Sequence, residues 1–212
     1  MTTWLYNEDH YIREFDAKVV SIDGVYVELD QTAFFPESGG QSGDTGLLNN
    51  AKVVYTKYLE GDRLVHIMVV EPSFKVGDIV HGALDWDRRY KIMKLHTASH
   101  MMEYYLWKHF GYMERTGSNV DERKDRADYK HDERLNPETL KKVEEETNEF
   151  LIEGHPVTIT VDDEGIRNWV CGPVEMHCAG THVKNTSEIG LINLKRKNPG
   201  RGEERVETSL RE

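Results

Sequence analysis

Short runs in which hydrophobic and polar residues alternate occupy the chain up to about Asp85. Residues 17–22 and 25–29 flank Asp23-Gly24, a dipeptide that favours a two-residue hairpin turn. Residues 53–59 and 64–70 flank a second turn, and another apolar run covers 79–84. Because such alternation buries one face of a strand, the pattern predicts several short strands folded into a small antiparallel barrel or sandwich.

The spacing of hydrophobic residues becomes helical after Asp85. This residue is suited to cap a helix and Gly111 to end one, so the pattern predicts a helix over 85–110. The predicted buried stripe of this helix consists of Ile92, Leu95, Ser99, Met102 and Leu106.

A second helix is predicted between Asn136 and Gly154, with Pro137 at its first position. The stretch before it, 117–129, is rich in turn residues and is predicted to be irregular. Runs at 156–161, 191–194 and 205–210 predict strands, the last two as arms of a hairpin.

These elements predict an α+β protein with two domains. Residues 1–84 form a small N-terminal antiparallel β-barrel-like domain that carries a glycine-rich loop at 30–44. Residues 85–212 form an α+β domain in which helices pack on an antiparallel sheet. The loop lacks the Lys-Ser/Thr ending of a phosphate-binding loop, so nucleotide binding is not favoured, and an ordinary mobile loop is the alternative.

Composition narrows the class of protein. The chain has 212 residues and a formal net charge of −11, which argues against indiscriminate nucleic-acid binding. No apolar run approaches the ~20 residues that span a bilayer, and the N-terminus lacks a signal pattern, so a cytoplasmic location without membrane contact is expected. A local basic cluster, or the solvated tip of a hairpin, is formed by Lys195, Arg196, Lys197, Arg201 and Arg205.

Two distant segments each carry a pair of metal-ligand residues. His96 and His100 are four residues apart, so on a helix both imidazoles leave one face a turn apart. Cys178 and His182 offer a thiolate and an imidazole in one short loop. Together these donors are a set that zinc binds readily, and they predict a zinc site in preference to four ordinary polar residues. The other cysteine, Cys171, is expected to be a small buried residue.

The segments Thr32-Ala-Phe-Phe-Pro-Glu-Ser-Gly-Gly-Gln41, His96-Thr-Ala-Ser-His100 and Cys178-Ala-Gly-Thr-His182 follow one another along the chain. In this order they resemble the editing domain of alanyl-tRNA synthetase and its freestanding relatives, the AlaX family, of which the chain resembles the medium-length type. The resemblance implies an aminoacyl-tRNA deacylase, a carboxylic ester hydrolase acting in trans. Its substrate would be tRNA(Ala) mischarged with serine, with glycine as a second candidate. It implies one Zn2+ per chain and no obligatory protein partner.

The resemblance also implies roles for single residues. Thr32 matches the side chain that contacts the serine hydroxyl, and Gln41 is a further substrate-binding candidate, in a pocket expected between the two domains. The zinc ion would orient the substrate amino group, polarise the ester carbonyl or activate water, and the sequence does not choose among these. The glutamine of a related synthetase motif is replaced by Arg115, so no catalytic residue is assigned.

Two other functions remain open from sequence. A non-catalytic, zinc-stabilised tRNA-binding module would need the same four ligands but not the 32–41 loop. An editing hydrolase for another aminoacyl-tRNA, such as Thr-tRNA, would have similar ligands.

Two local expectations concern single residues. Ala179 replaces a family glycine and would be strained at positive φ. His66 and the other histidines without a spaced partner are expected at the surface.

Overall fold

The computed structural model describes residues 2–200 and 202–211, so Arg201 of the basic cluster lies outside the described residues. The chain divides into two compact units, Met1–Tyr90 and Lys91–Glu212, and the division falls within the first long helix. Each unit has its own hydrophobic core.

The first unit is built from short strands around a barrel. Its strands are β1 (Thr3–Trp4), β2 (Glu14–Asp23), β3 (Tyr26–Leu29), β4 (Gln31–Thr32), β5 (Gly46–Leu48), β6 (Ala51–Leu59), β7 (Arg63–Met68) and β8 (Ile79–Leu84). Strands β2, β3, β7, β6, β5 and β8 pair in that order, antiparallel throughout, and β8 closes the ring on β2. Alternate residues of β2 point inward onto core residues such as Val27 and Leu48, as the alternation predicted. The predicted small antiparallel barrel is confirmed.

The glycine-rich loop contains a tight turn and a close backbone approach. Ser38 and Gln41 exchange backbone hydrogen bonds around Gly39 and Gly40, which have φ of 58° and 85°. Two consecutive residues at positive φ suit glycine and disfavour side chains. A Cβ at Gly43 would collide with a backbone carbonyl of β6, so this position also requires glycine.

A buried ion pair holds this loop against the start of the first helix. Arg89 and Asp44 are 1% and 2% exposed in their side chains, and Arg89 Nε donates to Asp44 at 2.9 Å. Arg89 Nη2 donates to the carbonyl of Ala33 at 2.8 Å, and Asp44 accepts from the backbone N–H of Phe35 at 2.6 Å. Several hydrogen bonds therefore satisfy both charges, as burial of an ion pair requires.

The second unit packs two helices on an antiparallel sheet. Its elements, with α1 beginning in the first unit, are α1 (Trp86–Phe110), β9 (Arg115–Val120), β10 (Asp125–Lys130), α2 (Pro137–Glu153), β11 (Thr158–Val161), β12 (Arg167–Cys171), β13 (Val174–His177), β14 (Ile192–Gly200) and β15 (Glu203–Leu210). The order β14-β15-β10-β9 forms one sheet, and β11-β12-β13 forms another. Met102 and Leu106 of α1 share a core with Val143 of α2 and Val206 of β15. The α+β class is thus confirmed.

The predicted helix ends are also confirmed. Asp85 accepts from the backbone N–H of Arg88 at 3.3 Å, and Gly111 follows α1 with φ of 80°. Asn136 accepts from two N–H groups of the first turn of α2, and Gly154 ends that helix in the left-handed region. No helix among the described residues is long and apolar enough to cross a membrane.

The stretch 117–129 was wrongly predicted to be irregular, because most of it lies in β9 and β10. Its charged residues hide the strand pattern, yet several of them are paired in the fold. Asp128 accepts from Arg205 of β15 at 2.5 Å, and buried Asp125 accepts from the hydroxyl of Ser99 at 2.8 Å. Apolar burial in this stretch comes from Val120, Ala127 and Tyr129, too few residues for the alternation to be visible in sequence.

Candidate metal centre

Four metal-ligating side chains converge in the second unit: His96, His100, Cys178 and His182. Their candidate ligand atoms all lie within 4.8 Å of one another. Cys178 Sγ is 3.2 Å from His182 Nε2 and 3.6 Å from His96 Nε2. Zn–N and Zn–S bonds of ordinary length give a tetrahedron with edges of about 3.3–3.7 Å. The distance from Cys178 Sγ to His96 Nε2 falls within this range, and the distance to His182 Nε2 is slightly shorter. The two segments that sequence paired therefore meet as one group able to hold a metal ion.

His100 gives a direct indication that this group fits a metal ion. Its side chain is buried, and within the described part of the chain neither ring nitrogen has a hydrogen-bond partner. Burial lowers the pKa of His100 well below its ordinary value, and His96 and Arg115 act in the same direction. The imidazole is therefore neutral, the form that binds metals. An unpaired buried nitrogen costs about 1–3 kcal/mol, which a metal bond would offset.

Cys178 belongs to the four-residue group, whereas its neighbours in sequence Cys171 and His177 do not. Burial raises its pKa, whereas the N–H of Gly180 and the charges of Arg115 and Arg167 lower it. Cys171 is buried on β12 outside the group, and burial raises its pKa to about 11. His177 is exposed on β13 and is also outside the group. The loop therefore contributes two donors to the group, Cys178 and His182.

A threonine between the two helical histidines orients the third. The Thr97 hydroxyl donates to the carbonyl of Met93 at 2.9 Å. Since a hydroxyl has one proton, its contacts with Val183 N–H at 3.3 Å and His182 Nδ1 at 3.1 Å must be bonds that it accepts. His182 therefore carries its proton on Nδ1, and Nε2, the atom beside Cys178, keeps a lone pair for a metal. Outer contacts of this kind fix the tautomer and direction of a ligand.

Thr97→Val is expected to weaken zinc binding roughly 10- to 100-fold, since it keeps the side-chain shape and removes the acceptor for His182. The measurement is competition for zinc against a chromophoric chelator. Thr97→Ser is the matched control, because it keeps the hydroxyl, and its affinity should stay close to that of the wild type. Equal zinc affinity for the valine and wild-type proteins would mean that other contacts orient His182.

Sequence reasoning missed an aromatic wall of this centre. Trp169 on β12 is fully buried, and its ring centroid lies 4.9 Å from that of His100 and 5.7 Å from that of His182. The hydrophobic pattern predicted the first strand of this sheet but not β12, so no signal placed Trp169 here. Ala179 is not strained, because Asn49 and Asp62 are the only non-glycine residues with positive φ among those described.

Thr32 and Gln41 lie in the first unit and both are fully buried. The expectation that His66 is a surface residue was wrong, since it is fully buried beside Thr32. Val27 O can only accept, so His66 Nδ1 donates to it at 3.1 Å and Nε2 accepts from the Thr32 hydroxyl at 2.8 Å. Burial lowers the pKa of His66 to about 4, which keeps the ring neutral. The Thr32 oxygen also accepts from Phe34 N–H at 3.1 Å and retains one lone pair.

Comparison with known proteins matches both ends of the chain to synthetase domains. Residues 8–88 match the family described as tRNA synthetases class II (A). Residues 174–211 match the threonyl and alanyl tRNA synthetase second additional domain, and this segment contains Cys178 and His182.

Curated relatives extend the similarity to almost every residue. The chain is 36% identical to the alanyl-tRNA editing protein AlaX-M of Pyrococcus horikoshii, over 99% of this chain and 98% of that protein. It is 36% identical to the alanine–tRNA ligase of Sulfurisphaera tokodaii and 33% identical to that of Ignicoccus hospitalis. Against these ligases the match covers 91% of this chain but only 24% of the ligase. Since the similarity to AlaX-M extends over both proteins, the chain belongs to the alanyl-tRNA editing protein AlaX-M family.

Proposed function

We propose that this protein is a cytoplasmic trans-editing deacylase that hydrolyses Ser-tRNA(Ala), with Gly-tRNA(Ala) as a second substrate, at a zinc site. The observation that carries the proposal is the convergence of His96, His100, Cys178 and His182 in a chain of this family. The converging donors favour zinc, because they are nitrogen and sulfur ligands.

The reaction is hydrolysis of the ester between the amino acid and the terminal ribose of the tRNA. Water adds its oxygen to the carbonyl carbon, the bond to the ribose oxygen breaks, and that oxygen takes up a proton. A zinc ion at the centre would supply charge that orients the amino group or polarises the carbonyl. The Thr97 hydroxyl would orient His182, and Trp169 packs against the rings of His100 and His182.

The selectivity required has a clear physical basis. Serine differs from alanine by one additional hydroxyl. The apolar pocket of a synthetase that attaches alanine to tRNA rejects serine only weakly. A pocket with a polar group placed for that hydroxyl disfavours alanine, since the polar group would then stay unpaired. Thr32 is the proposed group. Its proton is donated to His66, so its remaining lone pair would accept from the serine hydroxyl.

Deacylation of Ser-, Gly- and Ala-tRNA(Ala) and of Thr-tRNA(Thr) by the purified zinc protein tests the function. We expect rapid loss of serine, slower loss of glycine and little loss of alanine or threonine. Preferential hydrolysis of Thr-tRNA(Thr) would support an editing role for a different tRNA. Binding of tRNA without hydrolysis of any of the four would support the non-catalytic module.

Thr32→Val should lose on the order of 1–2 kcal/mol of preference for Ser-tRNA(Ala) over Ala-tRNA(Ala), because one neutral hydrogen bond is removed. The measured quantity is the ratio of the two deacylation rates. Thr32→Ser keeps the hydroxyl and should keep the ratio. Because Thr32→Val also leaves His66 Nε2 unpaired, a control for lost stability is needed.

Thr56→Val provides that control. Thr56 is also fully buried in the first unit, and its hydroxyl donates to the carbonyl of Asp44 at 3.0 Å. Its loss should lower stability and leave the rate ratio unchanged. If Thr32→Val lowers both deacylation rates by the same factor, as a destabilised protein would, Thr32 does not provide the selectivity.

The basic hairpin offers fewer free charges than sequence indicated. Arg196 pairs with buried Glu204, and Arg205 pairs with Asp128. Lys195 and Lys197 are the exposed cations of the described part of this cluster. Lys195 also lines a groove of about 370 Å³ with Arg134 and Lys141, a concentration of positive charge suited to a phosphate backbone.

Replacing Lys195 and Lys197 together with alanine should reduce the salt dependence of tRNA binding. The negative slope of log association constant against log salt concentration should become shallower by about two, roughly one per cation. Fluorescence anisotropy at several salt concentrations measures this slope. The matched control replaces two exposed lysines of the first unit, Lys52 and Lys75, and removes the same total charge. If both double variants change the slope equally, the effect reflects net charge and the hairpin is not the contact surface.

A further inference from the structure

The second unit contains an aromatic cleft of about 530 Å³ next to the metal centre. His100, one of the metal-ligand candidates, forms part of its wall. Three aromatic residues, Tyr104, Trp107 and Tyr112, line it from α1 and the segment just beyond. Residues of β13, including Val174 and Met176, also line it.

Helix α1 presents its cleft-lining residues in a row that starts at His100 of the candidate metal centre. His100, Tyr104 and Trp107 are spaced four and three residues apart, so they share one face of α1. The rise of a helix places Trp107 about 10 Å further along the axis than His100. Tyr112 follows the end of the helix, and its ring centroid is 5.1 Å from that of Trp107.

Two features of these aromatic residues are unexplained by folding. Tyr112 is 78% exposed, the most exposed large hydrophobic or aromatic residue among those described. The indole Nε1 of Trp107 is buried and has no hydrogen-bond partner in the described part of the chain. A buried donor without an acceptor costs about 1–3 kcal/mol, so a ligand that stacks on Tyr112 and accepts from Trp107 would satisfy both.

Charge limits what this ligand can be. Glu103 is occupied, because it accepts from Arg115 Nε at 2.9 Å and from the hydroxyl of Tyr129 at 3.0 Å. Glu114 and Glu175 add two further carboxylates to the wall. Three carboxylates against one guanidinium disfavour a phosphate. They favour a neutral aromatic ring with an amino group that can donate to a carboxylate.

We propose that this cleft binds the terminal adenosine of the aminoacylated tRNA, with the adenine stacked on Tyr112 and accepting a hydrogen bond from Trp107. The inference rests on the proposed function, in which the scissile ester is attached to the terminal ribose. An ester held at the metal centre brings the base of that same nucleotide to a neighbouring surface. Aromatic side chains are the usual stacking surface for unpaired bases of single-stranded ends.

The test compares binding of two non-hydrolysable probes, the seryl amides of 3′-amino-3′-deoxyadenosine and of 3′-amino-3′-deoxycytidine, by calorimetry on the zinc protein. The wild type should bind the adenosine probe more tightly. Tyr112→Ala should raise its Kd on the order of tenfold and remove most of the preference over cytidine. Tyr112→Phe keeps the ring and should bind like the wild type. Ile152→Ala, at a residue 63% exposed on α2, removes a matched apolar side chain and should change nothing.

Each result supports or overturns the assignment. Equal Kd values for Tyr112→Ala and the wild type, or an equal loss in Ile152→Ala, overturn it. Zinc content and the unfolding midpoint of each variant show that the fold is intact.

Deacylation of Ser-tRNA(Ala) distinguishes failure of the proposed function from failure of the cleft assignment. If the wild type is inactive on every charged tRNA, the proposed function fails. If the wild type is active and Tyr112→Ala has an unchanged KM, this inference alone fails.

Discussion

Cys178→Ala is expected to reduce bound zinc from about one ion per chain to a small fraction, and to reduce deacylation of Ser-tRNA(Ala) correspondingly. The variant removes the sulfur that lies within 3.6 Å of two ligand nitrogens and leaves only imidazoles. Loss of a zinc ligand is a larger change than loss of an outer contact, which already costs 10- to 100-fold in affinity. Metal analysis of the purified proteins measures the first effect, and rate measurements at saturating zinc measure the second.

Cys171→Ala is the matched control for this experiment. It removes the other cysteine of the chain, which is 1% exposed on β12 and outside the ligand group. Its zinc content and activity should remain those of the wild type, with only a small loss of stability from the smaller side chain. Equal zinc in Cys178→Ala and Cys171→Ala would contradict the assignment of Cys178 as a ligand.

Asp44→Asn should lower the free energy of unfolding by about 3–5 kcal/mol, the usual cost of leaving one charge of a buried pair without its partner. The amide keeps the size of the side chain, so the effect comes from charge. The Arg89 side chain is 1% exposed, so water does not replace the lost carboxylate in the folded state. Urea unfolding measures the shift in midpoint, provided that the slope of the transition is unchanged.

Glu28→Gln is the control for this variant. Glu28 pairs with Arg63 in the same unit, but the Arg63 side chain is 48% exposed. An exposed partner regains water when the pair is lost, so little change in stability is expected. Similar unfolding midpoints for the two variants would show that the pair of Asp44 and Arg89 is no more important than a surface contact.

Local signals in the sequence were sufficient where a single rule determines the structure. Asp85, Asn136 and the glycines that follow each helix set helix ends through short-range hydrogen bonds and backbone freedom. The first hairpin was likewise readable, although its two-residue turn lies one residue later than predicted, at Gly24-Val25, because Asp23 pairs with Tyr26. The ligand pairs were also readable, because donor type and spacing are visible in sequence.

Long-range polar pairing was not readable in the same way. Strand β10 was missed because the partner of Asp128, Arg205, lies 77 residues away. The role of Thr97 depends on which group its hydroxyl donates to, and that depends on the carbonyl of Met93 and on a loop at 182–183. Trp169 and the cleft beside Trp107 arise from the packing of strands that carry no strong periodicity.

The metal centre joins parts of the chain that are far apart in sequence. His96 and Cys178 are separated by 82 residues and meet at one point. An ion bound there acts as a cross-link that closes a long loop and restricts the unfolded chain. Because such an ion binds the folded form preferentially, unfolding of the second unit requires its release. If the proposed zinc is bound, metal supply would therefore influence the lifetime of the protein in the cell, since metal-starved chains would be exposed to proteolysis.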